Sequence, residues 1–195
     1  AARNEGVHYL TLYVFSTENW GRPREEVDML MELLCRSIVN ELDELLREQV
    51  KVVVVGDREG MSPTVVEHID LIERETADCT NLTMQLCINY SARSELTRAA
   101  RRLAAKAAAG ELSPEAITPE AIADELYTRG VPDPDLIIRT GGEQRLSNFL
   151  LWQGAYSELW FTPTYWPDFS GDDFDAALAA FAGRHRRFGK VEEQE

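Results

Sequence analysis

The sequence predicts an α/β domain with a mostly parallel central sheet covered by helices. Three observations predict it. Apolar stretches alternate with amphipathic ones along the chain, as βαβα units require. The apolar stretches are hydrophobic at consecutive positions, which suits strands buried on both faces. Across all 195 residues there is no repeat, low-complexity tract or glycine/proline-rich linker, so residues 1–195 are expected to form a single domain.

Ala1 to Glu5 before Gly6 reads as a helix end with its glycine stop, and Val7 to Phe15 as a buried strand. Pro23 suits a first helical position and Glu25 and Glu26 suit the positive end of the dipole; the apolar spacing from Val27 to Leu46 then predicts a helix over about 24–48. Val50 to Gly56 is a strand, Ser62-Pro63 opens a helix to about Thr76, and Leu82 to Asn89 is a strand. An alanine-rich helix runs from Ser94 to Ala109 and stops at Gly110. After a loop over 111–117, Thr118-Pro119 starts a short helix ending near Thr128. Leu136 to Arg139 and Glu158 to Phe161 are short strands, and Ser170 to about Arg187 is a closing helix.

Composition removes several classes of function. With 44% hydrophobic and 28% charged residues the chain buries a core. A net charge of −14 repels a phosphate backbone, which argues against nucleic-acid binding. The longest uncharged run, Cys79 to Ala92, is shorter than the roughly 18–20 residues of a membrane span. Cys35, Cys79 and Cys87 include no CxxC pair and read as reduced, buried thiols of a cytoplasmic protein. His8, His68 and His185 stand near no nucleophile signature, and Asp172-Asp173 after Ser170 is what a helix start favours rather than a metal site.

In parallel sheets ligands gather at the carboxyl ends of strands. Two segments sit there: Ser16-Thr-Glu-Asn-Trp-Gly-Arg-Pro23 and, after Arg139, Thr140-Gly-Gly-Glu-Gln-Arg-Leu-Ser-Asn148. Counting Arg139, the second joins two guanidiniums, a hydroxyl and two glycines, a combination able to cradle a phosphate. A polar turn whose arginines pair with Glu143 or Glu158 is the alternative. In the first, Trp20 stands among Glu18, Asn19 and Arg22, and packing beneath a helix start is its other reading. Neither segment is a Walker A or GxGxxG loop.

Tyr9 to Pro23 and Leu136 to Gln153 resemble the cis-prenyltransferases, bacterial undecaprenyl diphosphate synthases most closely, and the resemblance runs from Gly6 to Gly189. It implies condensation of isopentenyl diphosphate with an allylic diphosphate to a Z-polyprenyl diphosphate, with Mg2+, in a homodimer that delivers its product to the membrane, as a cytoplasmic or peripheral protein. By residue, it implies that Arg139, Arg145, Leu146 and Ser147 hold isopentenyl diphosphate and that Glu158 binds magnesium. Ser16, Thr17, Glu18, Trp20 and Arg22 match the substrate-contacting loop and Glu26 a loop-stabilising acid. Asn19 matches the residue that assists proton loss; an amide is a weak base, so orienting that proton suits it better. Arg187 and Gly189 resemble an Arg-x-Gly motif that reaches the partner's site. The apolar stripe of helix 24–48, facing the strand at 7–15, is expected to wall the tunnel for the growing chain.

Two departures accompany the likeness. The family's Asn-Tyr-Gly-Gly-Arg is Asn89-Tyr-Ser-Ala-Arg93 here, which constrains a turn otherwise free to take positive φ. The family's leading strand and Met-Asp-Gly-Asn-x-Arg-Trp loop do not occur in the chain, so half a site and an exposed edge at 7–15 are expected. A non-catalytic prenyltransferase-like subunit that stabilises a partner is the alternative function, and an unrelated phosphate-binding module a third.

Overall fold

The computed structural model of the chain describes residues 2–184. They divide into two compact units, Ala2–Val131 and the residues from Pro132 onward. Both are built on parallel strands, as the hydrophobic runs predict.

In the first unit β1 (Tyr9–Ser16), β2 (Val50–Val55) and β3 (Leu82–Tyr90) form a sheet of order β1-β3-β2. The central strand β3 is buried along most of its length. The outer edge of β2 is closed by α2 (Pro63–Glu75). Val52 N–H donates to Thr76 Oγ1 at 3.0 Å, and Val54 N–H donates to Glu73 Oε1 at 2.7 Å. That satisfies donors which an edge strand would otherwise expose. The opposite edge of the sheet belongs to β1, where Tyr9 and Val14 are 44% and 45% exposed. Its register against β3 shifts at Val14, just before the loop of interest.

Helix α1 (Arg24–Arg47) packs on α2 and β2. Val27 and Ile38 are buried in a core with Val52, Val65, Ile69, Ile72 and Ile88. Burial of each such side chain contributes about 1.5–3 kcal/mol, against at most about 1 for an exposed ion pair such as Arg36–Glu32, so the apolar stripe holds α1 in place. Leu30, Met31 and Leu34 pack partly buried against this core, while Met29 and Leu33 are exposed.

Helix α3 covers Ala92–Ala108 and starts two residues earlier than its alanine-rich run suggests. Ser91 is its N-cap, accepting from Ser94 N–H, with an extended φ of −152°. The Ser91-Ala92 substitution for two glycines therefore needs no left-handed turn; the positive φ, +50°, falls on Asn89, a residue type that tolerates it. The expected loop over 111–117 contains a 3₁₀ turn at Pro114–Ala116. The following helix, α4 (Pro119–Ala123), stops short of the expected 128. Beyond it Tyr127 N–H donates to the carboxylate of Glu95, and Glu125 turns to Arg102 and Lys106, so α3 takes the groups that would continue α4.

In the second unit β4 (Leu136–Arg139) and β5 (Glu158–Phe161) pair in parallel, Leu136 opposite Glu158 and Arg139 opposite Phe161. Helix α5 (Gly171–Ala182) follows, capped by Ser170 and stopped at Gly183. Asp173 completes a capping box, and hydrogen bonds from Ser170 hold its carboxyl below the ordinary range, which is the helix-start role read for this acidic run. The expected extension to Arg187 lies outside the described residues.

Candidate active site

The chain leaves β1 into a 3₁₀ turn at Thr17–Gly21. Ser16 N–H donates to Asn19 Oδ1 at 2.9 Å, so the amide oxygen of Asn19 is committed to holding the turn. What Asn19 has left to offer is its N–H pair, a donor rather than a base. Thr17 Oγ1 contacts the exposed Glu18 at 3.3 Å. Trp20 stacks edge-on against buried Phe15, with ring centroids 5.1 Å apart, and its indole N–H donates to Asn89 Oδ1 at 2.7 Å. The ring is 37% exposed, so packing and presentation coexist at this residue. Arg22 pairs with Glu26 at 2.8 Å across the start of α1. An open cavity of about 620 Å³ adjoins these strand ends, lined among others by Thr17, Asp57, Asn89, Arg93, Arg101 and Tyr127.

The second loop follows β4. Arg139 ends the strand, and its Nε is buried with no hydrogen-bond partner. A buried guanidinium donor left unpaired is costly, so this N–H is one of the polar groups of the loop that no protein partner satisfies. Arg145 pairs with Glu143, the alternative read from composition. Both side chains are about half exposed, so the pair is worth at most about 1 kcal/mol. Ser147, Asn148 and Leu150 all take positive φ, at 50°, 65° and 43°, and so do Gly141 and Gly142. Such conformations cost about 1–3 kcal/mol each for non-glycine residues and gather where a fold enforces a particular backbone shape. Leu146 is half-buried inside this run. The glycines, in contrast, do not offer amides to a ligand: Gly141 N–H donates to Thr164 O at 2.8 Å and Gly142 N–H to Thr162 O at 2.9 Å. The polar groups this loop leaves for a ligand are therefore side chains rather than these two glycine amides.

Sequence reasoning did not single out Asn89, whose side chain holds Trp20, or the left-handed backbone at Leu150. An asparagine closing a hydrophobic strand was a readable sign of a left-handed residue, whereas nothing local marks a buried leucine at positive φ.

A family model of undecaprenyl diphosphate synthases, Prenyltransf, matches residues 1–189. The chain belongs to this family. It is 50% identical to an isoprenyl transferase of Porphyromonas gingivalis over 194 residues, covering 100% of this chain and 76% of that protein. It is 52% identical to an isoprenyl transferase of Agrobacterium fabrum over 194 residues, covering 100% and 78%. Among solved structures, it is similar to lavandulyl diphosphate synthase of Lavandula x intermedia in complex with dimethylallyl diphosphate. The TM-score is 0.94 and the identity 34%, over 97% of this chain and 82% of that one. A probable undecaprenyl diphosphate synthase of Campylobacter jejuni matches with TM-score 0.86 and 36% identity, over 97% and 86%. Family membership makes the chain a prenyl-transferring enzyme.

Within this family member, Glu158 stands apart from Arg139. It heads β5 opposite Leu136, so the two residues lie at opposite ends of the pair, roughly 10 Å apart along the strands. Three register positions separate them, which also sets them on opposite faces. Glu158 accepts from Arg184 Nη1 at 2.6 Å. Among the described residues no group of three or more His, Cys, Asp or Glu could hold a metal ion. Magnesium takes one or two carboxylates and completes its shell with water and phosphate oxygens, so a single carboxylate such as Glu158 is a donor of the right chemistry for it. Arg187 and Gly189 lie outside the described residues. No helix among the described residues is long and apolar enough to cross a membrane.

Proposed function

We propose that this enzyme joins isopentenyl diphosphate to an allylic diphosphate with cis geometry, giving a Z-polyprenyl diphosphate, and that Arg139 and Arg145 hold the isopentenyl diphosphate. The observation that carries the assignment is the buried, unpartnered Nε at the carboxyl end of β4. In the reaction the allylic carbon–oxygen bond breaks, a carbon–carbon bond forms, and isopentenyl diphosphate loses a proton. No nucleophile on the protein is required. Arg139 binds and orients through a planar donor fork, and Arg145 joins it by exchanging Glu143 for phosphate oxygen. Ser147 presents its hydroxyl from a strained backbone, with Leu146 beside it.

Ser16, Thr17, Glu18, Trp20 and Arg22 contact substrate in this reading, Glu26 steadies Arg22, and Asn19 directs the departing proton toward a diphosphate oxygen through its N–H groups. Magnesium would neutralise charge on a diphosphate, with Glu158 as the one carboxylate offered to it once released from Arg184. Charge neutralisation beside β4 falls to the arginines. Homodimerisation, with Arg187 and Gly189 serving the neighbouring subunit, is part of the same proposal, as is delivery of an apolar product to the membrane by a cytoplasmic protein.

Arg139→Ala is expected to lower kcat/KM for isopentenyl diphosphate by a factor corresponding to roughly 2–4 kcal/mol, measured by steady-state kinetics on the whole protein. Wild-type kinetics in that variant would overturn the assignment.

A further inference from the structure

Asn89 is the next-to-last residue of β3, is 8% exposed, and takes part in three side-chain hydrogen bonds. Its Oδ1 accepts from the indole N–H of Trp20 at 2.7 Å, across 69 positions of sequence. Its Nδ2 donates to Asp57 O at 2.8 Å and Glu59 O at 3.2 Å, in the segment that follows β2. One amide therefore ties together the chain beyond the carboxyl ends of β1 and β2 from the end of the strand between them. Both halves of the amide are used, which fixes which way it faces. The left-handed backbone at φ +50° is what turns the side chain back across the sheet end, and asparagine is among the few residue types that adopt it without a large penalty. Trp20 gains from this more than packing. Its edge contact with Phe15 restricts the ring plane, while the bond to Asn89 fixes which edge points inward and hence which part of the 37% exposed ring faces solvent.

We infer that Asn89 is a positioning residue for prenyl transfer, acting on substrate only through Trp20. The inference rests on the reading that Trp20 belongs to the substrate-contacting loop. Three variants separate the possibilities in the whole protein. Asn89→Gly keeps the left-handed backbone and removes the amide. Asn89→Asp keeps an oxygen for the indole and loses the two donor bonds. Trp20→Phe removes the indole N–H and identifies its signal in a ¹⁵N-edited NMR spectrum.

In Asn89→Gly the Trp20 indole resonance should move and its exchange with solvent should quicken. kcat/KM should fall about three- to tenfold, the worth of one hydrogen bond. In Asn89→Asp the indole keeps an acceptor although the Asp57 and Glu59 carbonyls now face a carboxylate, so its exchange with solvent should stay slower than in Asn89→Gly and kcat/KM should fall less, a partial rescue that a general packing defect at the strand end would not show. An unmoved indole signal in Asn89→Gly overturns the inference, and so does an equal loss of activity in both Asn89 variants. Wild-type kinetics in Trp20→Phe would instead overturn the placement of Trp20 in the substrate loop, while the indole signal in Asn89→Gly still reports whether Asn89 holds the ring.

Discussion

The loop after β1 and the loop after β4 both leave the carboxyl end of a parallel strand, yet they are held by different means. The first is fixed by side chains: Asn19 closes the turn on Ser16, Glu26 grips Arg22, and Asn89 fastens Trp20 from 69 positions away. The second is fixed by backbone: five residues from Gly141 to Leu150 take positive φ, and two glycine amides are hydrogen-bonded to the 162–164 segment. A loop tied by side chains can be loosened one bond at a time. A loop shaped by strained backbone keeps its form only while the surrounding unit enforces it. Substitution should therefore act gradually in the first and through local refolding in the second.

The sharpest break in that contrast is expected where backbone also matters to the first loop. Gly56 lies beside the Asn89 turn at φ +142°, and a Cβ there would stand 1.9 Å from Ile88 O. Gly56→Ala should lower stability by about 3 kcal/mol or more, read from urea unfolding, because backbone rather than a movable side chain is in the way. Gly141→Ala, at φ +83°, would meet only the Tyr165 ring at 3.8 Å. Its cost should be the left-handed strain alone, about 1–2 kcal/mol in the same measurement. Equal losses in the two variants would erase the distinction.

The strands β4 and β5 were legible to the residue because short β-branched and aromatic runs between turn formers encode themselves locally. The boundaries of α1 and α2 were legible through Pro23, Ser62 and helical spacing. The end of α4 was not, since the group that stops it, Glu95, lies 32 residues upstream of Tyr127. In each of the two candidate loops residue types could be read, but their commitments could not. The glycine amides looked available until the 162–164 backbone claimed them, and Glu158 looked close to Arg139 until register placed it at the other end of β5. Local pattern fixes elements; hydrogen bonds between distant segments decide which polar groups remain for a ligand.

A smaller effect sharpens the account of the unit that carries the first loop. Glu125, 6% exposed, is held below the ordinary carboxyl range chiefly by the hydrogen bond from Lys106, against the opposing effect of burial, with Arg102 assisting. A lowered folded-state pKa stabilises the fold above the ordinary value of 4.5, and that contribution disappears as pH falls through the folded-state value. Glu125→Gln should thus cost about 1 kcal/mol at pH 7, since Arg102 and Lys106 are half exposed and screened. The gap to wild type should close below pH 4.5 in thermal unfolding curves taken across pH. Smallest of all, Glu26→Ala removes an exposed i,i+4 pair with Arg22 and should change stability by no more than about 0.5 kcal/mol in urea unfolding.

The most direct test of cis-prenyl transfer is the geometry of the product. Incubation of the whole protein with magnesium, isopentenyl diphosphate and a short allylic diphosphate, followed by dephosphorylation and NMR of the alcohol, should show an extended chain whose newly made double bonds are Z, with one diphosphate released per unit added. New double bonds of E geometry, or an allylic diphosphate recovered without extension, would contradict it.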